Sequence, residues 1–77
     1  MTHAQRIFHL AADAVAHTRS LGYDCRNIIV EQPHDHDIVR VVQGKASVIW
    51  NGQYFRYHGR PSRALAHFTH EFSQLAK

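Results

Sequence analysis

One cysteine in 77 residues, Cys25, leaves the chain without an internal disulfide. Short chains often lean on disulfides, metals or oligomerisation, so one of those supports is missing. The single thiol fits a reducing compartment, and a cytoplasmic setting is expected. Long apolar runs are missing too. The stretch after the first residues is broken by His9, Asp13 and His17, which excludes a membrane span there. Met1 to Arg6 does not read as a secretory leader. With two prolines, four glycines and no repeat or low-complexity tract, the chain offers no linker. One domain over residues 1–77 is expected.

Acidic residues are few. Six Asp plus Glu against nine Lys plus Arg leave a net charge of +3 with neutral histidine. The cations are spread along the chain, a balance that permits phosphate contacts without requiring them. Eight histidines accompany them. Free imidazole titrates near ~6.5, so affinity for an anionic partner is expected to strengthen in mild acid. Catalytic signatures are also wanting: there is no nucleophile elbow, no phosphate-binding glycine loop and no carboxylate pair divided into acid and base. Cys25 lies between Asp24 and Arg26, whose effects on a thiol oppose each other, and reads as a small structural cysteine. A small core leaves little room for an enclosed pocket. The expectation is a non-enzyme without a cofactor.

What the chain does have is clear periodicity. Ile7, Leu10, Ala11, Ala14, Thr18 and Leu21 recur at helical steps, widened by Phe8 and Val15. This predicts a helix over residues 2–21, with Thr2 as N-cap and Gly22 just past its end. The β-branched run Ile28-Ile29-Val30 predicts a strand over 27–31, although its place in the sheet is open. Strands over 38–43, 46–50 and 53–57 follow, joined by Gly44-Lys45 and Asn51-Gly52. If both turns hold two residues, Val41 pairs with Val48, Val39 with Trp50, and Trp50 with Gln53. Val39, Val41, Ala46, Val48, Trp50, Phe55 and Tyr57 then share the core face. A last helix over 61–76 carries Leu65, Phe68, Phe72 and Leu75 on one stripe, with Pro61 in its first turn. The fold class is α+β, in the order α-β-β-β-β-α, with two helices packed on one face of an antiparallel sheet.

The opposite sheet face carries the main candidate site: Ile38, Arg40, Val42, Ile49, Tyr54 and Arg56, with Ser47 between them. A solvated face alternates more sharply than this, and apolar residues mixed with arginine and tyrosine mark protein interfaces. The expected function is a small protein-binding module: an adaptor, inhibitor or regulator docking on a protein or on a second copy of itself. On size alone, such chains include inhibitors encoded by phages and other mobile elements. The alternative is nucleic-acid binding through Arg40, Arg56, Arg60 and Arg63, with basic and aromatic residues interleaved on a sheet. The helix start beside Arg60 and Arg63 also suits a phosphate.

Metal binding is the remaining alternative. His34-Asp35-His36-Asp37 offers nitrogen and oxygen ligands that suit zinc or nickel, although the same run serves as a polar turn. His9, Asp13 and His17 stand on one helical ridge, where they read as a solvated face. His67 and His70 lie one turn apart beside Glu71 without a paired metal-binding spacing.

The order helix, antiparallel strands, helix resembles the double-stranded-RNA-binding domain in topology and length. That resemblance implies phosphate contacts from the start of the last helix. The matching stretch here is Gly59-Arg60-Pro61-Ser62-Arg63-Ala64, with two arginines in place of that family's lysine cluster and four strands in place of three. No diagnostic motif accompanies the likeness, and fold does not fix function.

Overall fold

A computed structural model describes residues 2–33 and 38–76. The first helix, α1, spans His3–Ser20. Thr2 caps it: its hydroxyl accepts from the Gln5 amide, while the Gln5 side chain accepts from the Thr2 amide. This reciprocal box satisfies two of the N-terminal amides that a helix leaves unpaired. Leu21 forms the C-cap, and Gly22 follows at φ 92°, a conformation that costs glycine little. Ala4, Ile7, Ala11, Ala14, Val15 and Thr18 are buried along one side. Leu21, expected on that stripe, is instead exposed because the helix ends before it.

Four strands follow: β1 Ile28–Glu31, β2 Val39–Gln43, β3 Ala46–Trp50 and β4 Phe55–His58. They form one antiparallel sheet in the order β1-β2-β3-β4. The 27–31 region therefore joins the sheet, pairing Val30 with Val41. Between β2 and β3 the expected register holds, with Val41 opposite Val48 and Val39 opposite Trp50. Gly44, at φ 63°, opens that two-residue turn.

The β3–β4 connection departs from expectation. Trp50 pairs with Phe55 rather than Gln53, so the loop holds residues 51–54 and β4 starts two positions later. A type I′ turn needs positive φ at both central residues, and among the described residues only Asn27 shows it outside glycine. Asn51 uses its side chain instead, accepting from the Gln53 and Tyr54 amides at 3.0 and 3.1 Å. That Asx geometry stabilises a wider turn. A two-residue shift preserves which face each side chain takes, so the core face survives the correction.

The second helix, α2, spans Arg63–Leu75. Pro61 lies outside it, because the Ser62 hydroxyl caps the helix by accepting from the Leu65 amide. Ile7, Ala11 and Ala14 of α1 cluster with Leu65, Phe68 and Phe72 of α2 on Val39, Val41 and Val48. Phe72 is the hub: its ring lies 5.0 Å from Trp50, 5.6 Å from Phe55 and 5.9 Å from Phe68. Tyr57 also faces this side, sharing a 2.8 Å hydrogen bond with Thr69 of α2. Leu75, by contrast, is 42% exposed at the helix end. Both helices thus cover one face of the sheet, as its alternating pattern predicts. Among the described residues no helix is long and apolar enough to cross a membrane.

Candidate functional sites

With the helices on one side, the other sheet face is open. The pairing arranges it in two cross-strand rows. One row runs Glu31, Arg40, Ile49, Arg56, and the other runs Ile29, Val42, Ser47, His58. Arg40, Val42, Ile49 and Arg56 therefore share one face, as expected. Ile38 precedes β2 and is half-buried, and Tyr54 belongs to the turn, where it is 59% exposed. Neither extends the rows as a strand residue. The structure adds Ile29 and Glu31, which sequence reasoning left out because the position of β1 was open. Ile29 is 54% exposed, directly opposite Val42. Glu31 reaches Arg40 at 3.1 Å, so the arginine on the central strand β2 is already paired. Arg56 has no acidic partner among the described residues.

Arg60 and Arg63 are not part of that face. They lie near the Gln43 end of the sheet, each beside a separate groove. The larger groove, about 640 Å³, is open to solvent and formed by the 24–27 loop, the Gly44-Lys45 turn and residues 59–62. Gln43 ties these segments together. Its amide nitrogen donates to the Asp24 and Arg26 carbonyls, each at 3.0 Å, and its oxygen accepts from Ser62. Gly59 allows the last segment to approach the turn: at φ 76°, a methyl group there would lie 3.1 Å from the Lys45 carbonyl oxygen. Asp24 accepts from the Arg26 guanidinium through both carboxylate oxygens, at 3.0 and 2.9 Å. That hydrogen bond, with one from the Arg26 amide, lowers the Asp24 carboxyl to about 2.

The histidines on the helices form a cluster that their separate spacings did not reveal. Glu71 of α2 is bonded to His17 of α1 on one carboxylate oxygen and to His67 on the other. An ionised carboxylate only accepts, so His17 Nδ1 and His67 Nε2 carry the protons. Burial pushes the Glu71 carboxyl up, but the two histidine contacts outweigh it and leave the carboxyl below its ordinary value. Tyr23 stacks on His67 with ring centroids 4.5 Å apart. Asp13 is not part of this cluster's contacts, and no group of three or more His, Cys, Asp or Glu among the described residues is arranged to hold a metal. His34 and His36, the metal candidates, lie outside the described residues. Cys25 is free and buried, in keeping with a structural role. No protein-family model, curated protein or solved structure matches the chain.

Proposed function

We propose that this chain is a small binding module without catalysis of its own, docking on a protein partner through the uncovered sheet face. One observation carries the reading. Ile29, Val42 and Ile49 lie close together on a face that no helix covers, and Ile29 is more than half exposed. Outward positions of a solvated antiparallel sheet are normally polar. Aliphatic side chains interspersed with arginine suit an interface, where arginine is enriched. The partner that fits offers an apolar patch with a carboxylate placed to meet Arg56. Four strands of this length outline only roughly 300 Å², well below the ~800 Å² per partner of a stable complex, so a weak and transient contact is expected.

The nucleic-acid reading loses support from the same geometry. Arg40 is paired with Glu31, and the four arginines divide between the sheet face and the strand ends. Phosphate binding by a single stripe needs them together.

The test is size-exclusion chromatography with light scattering, at low and high salt, with and without mixed nucleic acid, on the native chain and on Ile49→Asp and Ile29→Asp. An assembly with itself or with a protein partner, indifferent to salt and lost in both variants, supports the proposal. Both variants should melt within a few degrees of the native chain. Association that survives both substitutions overturns it. So does a shift seen only with nucleic acid at low salt, since phosphate contacts release counterions and fade with salt.

A further inference from the structure

We propose that the groove at the Gln43 end is a binding site for a small phosphorylated ligand, its phosphate held between Lys45 and Arg60. This is independent of the sheet-face proposal, because none of Ile29, Val42, Ile49 or Arg56 lines the groove.

Charge is the first argument. Arg26, Lys45 and Arg60 line the groove, and Asp24 is its one acidic residue. Arg26 occupies both oxygens of that carboxylate. Lys45 and Arg60 pair with no acidic side chain among the described residues. Two unpaired cations held on converging backbone segments are a source of charge-assisted hydrogen bonds, which are the strong ones.

Shape and lining supply the second argument. A volume of about 640 Å³ falls within the range of small-molecule sites and exceeds what an isolated ion needs. Ala46 and Pro61 are the apolar side chains among its lining residues, and three of the others are the cations Arg26, Lys45 and Arg60. Gly44 and Gly59 place no side chain over the turn, which keeps the floor accessible.

The third argument is rigidity. Gln43 bonds to both the 24–26 loop and Ser62, and Gly59 lies close against the Lys45 carbonyl. Such supports order the backbone that carries the two cations, which lowers the cost of binding. The start of α2 is not what carries this inference, since the Ser62 hydroxyl already occupies the Leu65 amide.

The experiment is a titration followed by backbone amide NMR. The probes are inorganic phosphate, pyrophosphate and ribose 5-phosphate, each matched in ionic strength by sodium chloride, with an eight-residue oligothymidylate as the nucleic-acid arm. Saturable shifts confined to Gly44, Lys45, Gly59 and Arg60 are expected with ribose 5-phosphate or pyrophosphate. Inorganic phosphate alone should bind more weakly, which separates a free phosphate from a phosphorylated compound. The double variant Lys45→Ala/Arg60→Ala should weaken binding about tenfold or more, with unchanged melting, whereas Arg56→Ala should leave it intact. Shifts no larger than those from sodium chloride overturn the proposal, as does binding that survives the double variant. Much tighter binding of the oligonucleotide, with shifts spreading to Arg40 and Arg56, also overturns it and returns the arginines to a nucleic-acid role.

Discussion

Adjacent residues of β2 illustrate how differently the two sheet faces are used. Val39 and Val41 are 1% and 0% exposed beneath the helices, while Val42, one residue on, is only half-buried on the open side. The same pleat sends similar aliphatic side chains to opposite fates. What differs is the neighbour: Ile7, Ala11, Phe68 and Phe72 cover one face, and no helix covers the other. A β-branched residue is thus explained by packing on the inner face. On the outer face it is explained only by strand geometry or by a partner. Substitutions that separate stability from association put that contrast at risk.

The largest stability effect is expected at Phe72, fully buried and in contact with Trp50, Phe55 and Phe68. Phe72→Ala should cost about 3–5 kcal/mol, from lost transfer energy and the cavity left behind. In a domain this small the melting temperature should fall by more than about 12 °C, or the cooperative transition should vanish. A loss comparable with that of Ile49→Asp would mean that the inner face is not the dominant core.

Next comes Val41→Thr. The swap conserves shape but places a hydroxyl at a site with no solvent access. Without a hydrogen-bond partner the cost should be about 1–3 kcal/mol, read from denaturant unfolding. A neutral result would show that a backbone carbonyl or water takes up the hydroxyl, and that the inner face is less dry than its burial suggests.

Glu71 tests a polar seam between the helices on the covered side. Its carboxyl lies below its ordinary value when folded because His17 and His67 favour the ionised form despite burial. A depressed carboxylate contributes stability above its unfolded value, and that contribution is lost as pH falls through the folded one. Glu71→Gln should therefore lower the melting temperature above about pH 5, with the gap closing toward pH 2. An equal deficit at both ends of that range would mean that the substitution acts through packing alone.

These residues also show what the sequence could reveal. Local signals were sufficient for the Thr2 cap, the Gly44-Lys45 turn and the assignment of β2 and β3 side chains to faces. Each depends on residues within a few positions or on a period of two. The Asn51-Gly52 pair was ambiguous because asparagine can adopt positive φ or bond the turn through its side chain, and here it does the latter. Ser62, a proper cap, displaced Pro61 from the helix. The remaining features depend on tertiary packing, which periodicity cannot supply. Glu71 meets His17 across 54 positions, Arg40 finds Glu31 only once β1 is in register, and the Gln43 groove joins three separate segments. The charged side chains were visible as a composition, but which of them remained unpaired was not.

The smallest expected effect is the most informative about the open face. Val42→Thr makes the same chemical change as Val41→Thr, one residue along the same strand, with Ile29 and Ser47 as its cross-strand neighbours. The hydroxyl can meet water there, and threonine retains the β-branching that suits a strand. Stability of the isolated chain should change by no more than about 0.5 kcal/mol. Association through the face should weaken, because a polar group enters the apolar strip. Repeating the unfolding measurement at low and high protein concentration sharpens the result. A cost near that of Val41→Thr, present only at high concentration, would mean that a second copy covers Val42 under those conditions, since association stabilises the folded state by mass action. The same cost at every concentration would mean that the outer face is packed within the single chain, and the contrast between the two faces would fail.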